Sequence, residues 1–245
     1  MSTAAVVVLA LAVGAVLGAV VVRPLVFVYA RPIGTGPGSR CPGCVARPLV
    51  ADRTALLHFA AGRCTACSGR IGPAAGLPEV LTGVLFAAVA LAGAHGWLAV
   101  AQWWVVLLGV PLALIDLAVY RLPDHLTIAL NGGVAMALAG AAATGQDQAV
   151  TVRALLAAVV LSVLFFVLAL MGGVALGDFK MAPALGALLG WNSWPALFFG
   201  LLAGFVVSAT YAVSLTWAGK ADRRSRVAIG PGLITGAVVT SLLLS

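Results

Sequence analysis

Gly172-Gly173-Val174-Ala175-Leu176-Gly177-Asp178-Phe179-Lys180 places a carboxylate, an ammonium and three glycines between two apolar runs, the first long enough to cross a bilayer. A charge at membrane depth costs about 2.5–3.5 kcal/mol on insertion scales, so a charge kept there marks a functional site by default. One other acidic residue lies inside an apolar run in comparable surroundings: Asp116, in Leu114-Ile115-Asp116-Leu117-Ala118. Two carboxylates embedded in this way point to an intramembrane aspartyl peptidase. The rest of the chain then serves to bring them together and to present a substrate.

The composition around them excludes a soluble globular domain. Of 245 residues, 62% are hydrophobic and only 9% charged, and the mean hydropathy is +1.13. These values describe an all-α polytopic membrane protein. With windows of about 17–25 apolar residues per crossing, eight transmembrane helices are expected, at 4–23, 77–94, 97–119, 125–144, 150–172, 179–193, 195–217 and 228–244. The sixth is the shortest. The first is read as a retained span, because Met1-Ser2-Thr3 carries no basic residue and the run from Ala4 to Val22 is long for a signal peptide. It can continue through Leu25-Val26-Phe27-Val28-Tyr29 after a break at Arg23-Pro24. The expected organisation is a first transmembrane segment at 1–29, a cytoplasmic loop at 30–76 and a transmembrane peptidase domain at 77–245.

Orientation follows from the basic residues. Arg31, Arg40, Arg47, Arg53, Arg63 and Arg70 lie after the first span, Arg121 follows the third, and Lys180 opens the sixth. Lys220, Arg223, Arg224 and Arg226 lie between the last two spans. With the N-terminus outside, all of these face the cytoplasm, with Arg23 at that edge, and Arg153 alone falls on the other side. That asymmetry is the positive-inside pattern of a multi-pass protein of the cytoplasmic (inner) membrane. It also accounts for the net charge of +7, so the expected partner is the lipid bilayer, and no nucleic acid is expected.

The loop from 30 to 76 holds all four cysteines. Cys41-Pro42-Gly43-Cys44 and Cys64-Thr65-Ala66-Cys67 form two C-x-x-C knuckles, a spacing that can wrap one tetrahedral ion in four thiolates. A pair of disulfides is the competing reading, which a cytoplasmic loop disfavours because thiols there stay reduced. Structural zinc is therefore expected at Cys41, Cys44, Cys64 and Cys67. Its binding energy would fold a loop with little apolar core. His58 reads as a bystander.

Asp116 precedes Arg121, the cytoplasmic edge of the third span, by five residues, and so sits roughly 7 Å into the membrane at 1.5 Å per residue. Asp178 opens the sixth span on the same side. Two carboxylates at similar depth can share a proton, so that one activates water while the other, protonated, polarises a scissile carbonyl. The glycines beside Asp178 allow another backbone to approach. Two alternatives stay open at this point. Each aspartate could be a helix cap or half of an ion pair, Asp116 with Arg121 and Asp178 with Lys180, or the chain could be a proton-coupled transporter with membrane carboxylates. Asp124 reads as the N-cap of the fourth span, and Trp103, Trp104, Trp191 and Trp194 as belt or packing residues.

In this combination and order, the motifs resemble those of the type IV prepilin peptidases, GxGD-class intramembrane aspartyl proteases. The resemblance covers the double C-x-x-C loop, Pro78-Glu79, Ile115-Asp116 with Leu122-Pro123-Asp124, Leu176-Gly177-Asp178-Phe179-Lys180, and Ile229-Gly230-Pro231. It implies cleavage of the short basic leader of prepilin or pseudopilin substrates at the cytoplasmic face. It implies catalytic roles for Asp116 and Asp178, with Gly177 and Lys180 as motif support. Many members also methylate the new N-terminus from S-adenosylmethionine. The chain departs from the family pattern in two places. Ala175 replaces the first motif glycine, a change of one methyl group that activity is expected to survive. Gly14–Val22 and Asp52–Arg63 match the bifunctional members poorly, which leaves methyl transfer open.

Overall fold

The structure is a computed structural model that describes residues 2–30, 73–172, 174–219 and 228–244. The cysteine knuckles, and with them the expected zinc site, lie outside the described residues, as do the basic residues at 220–226. The described residues form eight helices and no strand. They are α1 (Thr3–Tyr29), α2 (Leu77–Ala92), α3 (Gly96–Val119), α4 (Asp124–Ala143), α5 (Gln148–Leu170), α6 (Leu176–Asn192), α7 (Trp194–Trp217) and α8 (Gly230–Leu243). Residues 1–91 make one compact unit and residues 92–245 a second.

Five of the helices (α1, α3, α4, α5 and α7) are long and apolar enough to cross a membrane, as in a multi-pass membrane protein. The other three are shorter than those five, and α2 and α8 are also shorter than the spans expected at 77–94 and 228–244. α2 and α8 are apolar helices of 16 and 14 residues, and α6 has 17.

In the first unit, α1 runs without interruption to Tyr29, so the expected break at Arg23-Pro24 is absorbed rather than made. Residues Gly18–Val22 form a π turn, and the Arg23 N–H reaches back to the Gly18 carbonyl. Pro24 has no N–H to offer the preceding turn, and the wider turn takes up the mismatch. Gly14 and Gly18 lie on one face of α1, where α2 passes close. A Cβ at Gly14 would lie 2.8 Å from the Thr82 carbonyl, and one at Gly18 2.7 Å from the Pro78 carbonyl. Small residues four apart allow this approach between membrane helices. Arg23 is shielded from solvent by its surroundings. Its side chain is buried and paired in two parallel bonds with Glu79, Nε to Oε1 at 2.6 Å and Nη2 to Oε2 at 2.7 Å. The Pro73 and Ala74 carbonyls accept two more of its donors.

The second unit is built around α6, which packs against α3, α4, α5, α7 and α8. Its composition follows from that position. A helix enclosed by protein need not be greasy, but it must be thin, and α6 carries Gly177, Ala182, Ala184, Gly186, Ala187 and Gly190. A Cβ at Gly186 would stand 2.7 Å from the Ala157 carbonyl of α5, and one at Gly190 3.2 Å from Ala154 Cα. At the far end of α6, Arg153 of α5 donates to the carbonyls of Gly190, Trp191 and Asn192. Those are the last carbonyls of the helix, which have no partners within it. Ser193 ends α6 and caps α7, its hydroxyl accepting from the Ala196 N–H at 3.1 Å.

Candidate active site

Asp116 and Asp178 come from different helices and line one open cavity of about 280 Å³, together with Tyr120, Arg121, Leu122, Asp124, Ala175, Gly177 and Lys180. Both carboxylates belong to buried residues, 6% and 3% exposed respectively. They lie within electrostatic reach of each other.

Asp178 owes its place to the start of α6. Ala175 is the N-cap, with extended backbone at φ −74° and ψ 146°, so Asp178 is the third helical residue. There its carboxylate meets the Ala175 N–H, the acidic half of a capping box. The N-terminal end of the helix also favours a negative charge. The next residue, Phe179, holds this turn against α5 through a tilted contact with Phe166, ring centroids 5.5 Å apart. A Cβ on Gly177 would come 3.1 Å from Leu122 Cδ1, so this motif glycine lets the turn lie on Leu122.

Asp116 lies in the last turn of α3, and its carbonyl accepts the Tyr120 N–H at 2.8 Å. Tyr120 ends the helix in the left-handed region at φ 54° and ψ 38°. Such a conformation costs a side-chain-bearing residue about 1–3 kcal/mol. It turns the chain abruptly into Arg121-Leu122-Pro123-Asp124, so that the end of α3 and the start of α4 border the same cavity. The first residue of α8, Gly230, stands over the Asp116 carboxylate with its backbone N–H. A Cβ there would be 2.8 Å from Oδ2. Oδ2 is buried and has no hydrogen-bond partner among the described residues.

The ion pairs of the alternative reading, Asp116 with Arg121 and Asp178 with Lys180, are not found among the described residues. Lys180 binds Asp124, not Asp178, in an exposed ion pair. Among the described residues the only other ion pair is Arg23 with Glu79. Asp124 is also not the N-cap of α4. Pro123 takes that position, its carbonyl accepting from Leu126 and Thr127 at 3.1 Å each. Asp124 therefore begins the helix, with its side chain turned to Lys180. His125 is exposed beside it. Among the tryptophans, Trp104 donates to the Ala129 carbonyl at 3.0 Å and Trp191 is buried, both in keeping with packing.

Sequence reasoning did not single out Tyr120 or Asn131, and it read Gly230 only as part of a motif. The positive φ of Tyr120 has no signal in the residue type. The part played by Gly230 had one, a glycine opening the last helix beside a proline.

Residues 99–213, which include both aspartates, match the type IV leader peptidase family. The chain is similar to the prepilin leader peptidase/N-methyltransferase of Aeromonas hydrophila, 32% identical over 203 residues that cover 80% of this chain and 68% of that protein. It is similar to the protein of the same name from Burkholderia pseudomallei (strain K96243), 31% identical over 209 residues, 83% of this chain and 66% of that one. The corresponding protein of Pectobacterium carotovorum subsp. carotovorum is 32% identical over 214 residues, 82% and 73% of the two chains. No solved structure matches the chain. These likenesses give the transporter reading no support. Identity at this level, across most of both chains and through the segment that carries the two buried carboxylates, places this protein in the type IV prepilin leader peptidase family.

Proposed function

We propose that this protein removes the leader peptide of prepilin-like substrates at the cytoplasmic face of the inner membrane, with Asp116 and Asp178 as the catalytic pair. The observation that carries the reading is the convergence of two buried carboxylates, from α3 and α6, on one open cavity in a member of this family. Water enters between them. One carboxylate, ionised, takes a proton from the water as it attacks the scissile carbonyl, while the other, protonated, donates a hydrogen bond to the carbonyl oxygen. Collapse of the tetrahedral intermediate passes a proton to the leaving amine, and the pair is ready for the next substrate. The unpartnered Oδ2 of Asp116 is available to water or to substrate in this scheme. Lys180 and Asp124 neutralise each other at the rim, which leaves the acidic pair as the chemistry of the interior.

The reading extends to the four-thiolate zinc site at Cys41, Cys44, Cys64 and Cys67, and to methylation of the new N-terminus with S-adenosylmethionine. The names of the relatives support the second, and the cysteine spacing supports the first. The test is a purified preparation of the full chain in detergent or vesicles, given a prepilin. Leader removal, bound zinc of one equivalent, and transfer of a labelled methyl group are three separate readouts. Lack of leader removal with several prepilins would defeat the proposal, and lack of methyl transfer alone would restrict it to the peptidase.

A further inference from the structure

α6 carries Pro183 in its interior, five residues after Asp178. Proline has no N–H for the Phe179 carbonyl, and its ring crowds that carbonyl. Beside the break stands Asn131 of α4. In a regular helix the Ala184 N–H is aimed at the Lys180 carbonyl. Here the Ala184 N–H donates to Asn131 Oδ1 at 2.9 Å, and the Lys180 carbonyl accepts from Asn131 Nδ2 at 2.7 Å. The second Nδ2 hydrogen is directed to the Thr127 carbonyl of its own helix at 2.8 Å. The amide is thus spliced between the two groups that would bond each other in an unbroken helix. Its orientation is fixed by its partners, since a flip would set oxygen against two carbonyls and NH₂ against an N–H. Asn131 lies two turns along α4 from Asp124, which holds the Lys180 side chain. One face of α4 therefore grips Lys180 by both backbone and ammonium, two residues from Asp178.

We infer that Asn131 is a positioning residue for Asp178: its carboxamide bridges the gap that Pro183 opens in α6 and so fixes the turn that presents the carboxylate. This rests on the proposed catalytic role of Asp178. The side chain is not among the residues that line the cavity and bonds the Lys180 carbonyl and the Ala184 N–H, so it acts through the backbone of α6. A displacement of an ångström in a reacting group can cost about a hundredfold in rate.

The test uses the full chain in membranes and kinetics of prepilin cleavage per folded molecule. Asn131→Leu is expected to lower kcat about tenfold or more while KM stays within about twofold. Adding Pro183→Ala restores an N–H and lets α6 close its own ladder, so the double variant is expected to recover most of the lost kcat. Arg153→Ala, which releases the far end of α6, provides a reference for stability alone and is expected to keep kcat. Should Asn131→Leu fail to accumulate, Asn131→Asp keeps the acceptor, loses the donor, and is expected to show the same loss of kcat. Wild-type kcat in the Asn131 variants, a loss that Pro183→Ala does not reverse, or an equal loss in Arg153→Ala would each overturn the inference. Asp178→Asn separates the two levels. Cleavage surviving in that variant removes the catalytic role itself, whereas cleavage lost there with Asn131→Leu unaffected removes only Asn131.

Discussion

Gly230 and Asp116 are fitted to each other at the start of α8: any Cβ on the glycine would stand 2.8 Å from Asp116 Oδ2. A contact that short cannot persist, and Asp116 has only a short side chain with which to yield. The glycine thus sets how closely the N-terminus of α8, with its free N–H groups, can approach the carboxylate.

Gly230→Ala is accordingly expected to reduce prepilin cleavage by about tenfold or more, because the Asp116 carboxyl must rotate away. Thermal unfolding should change little, since the other close neighbour, the Met181 methyl at 3.3 Å, is the far end of a flexible side chain. The comparison to make is kcat against melting temperature for the purified variant. Wild-type turnover in Gly230→Ala would show that the position of Asp116 is less constrained than its surroundings imply.

Arg23 and Glu79 give a prediction for the first unit. Truncating Glu79 to alanine leaves the Arg23 guanidinium buried without its partner, which costs about 3–5 kcal/mol, while truncating Arg23 leaves a half-buried Glu79 unpaired and should cost less. Replacing both together, Arg23→Met with Glu79→Leu, removes the orphaned charge and should cost much less. Unfolding of the three variants in detergent measures this directly. Additive losses in the double variant would show that the pair is not coupled.

The Arg153 guanidinium, bonded to three terminal carbonyls of α6, is expected to contribute about 1–2 kcal/mol of stability through capping and the helix dipole. Arg153→Ala should lower the melting temperature and spare the cleavage chemistry, which lies at the other end of the helix. Arg153 was the lone exception to the expected charge asymmetry. The structure gives it a local reason to be there, which a count of loop charges does not register.

The eight helices were legible, five of them long and apolar enough to cross a membrane, because an apolar run of bilayer length is rare in a chain that folds in water, and the two aspartates because charges inside such runs are costly. α6 was harder to read. Its glycines and alanines carry little hydropathy, and what makes it a helix of the interior is the close approach of α5 at Gly186 and Gly190. The partner of Lys180 was hidden for a related reason. Sequence proximity pointed to Asp178, whereas the fold brings α4 alongside and supplies Asp124. Asn131 was silent because an asparagine in an apolar helix gives no sign of which break it mends until the neighbouring helix is in place.

The central claim is that Asp116 and Asp178 act as a pair, and it is tested most directly by co-expressing a prepilin with the wild type, Asp116→Asn and Asp178→Asn in membranes. Asparagine keeps the size of each side chain and removes its acid–base capacity. The account predicts a mature-sized product with the wild type and none with either variant, at equal levels of folded protein. A mature-sized product in either variant would take that aspartate out of the mechanism.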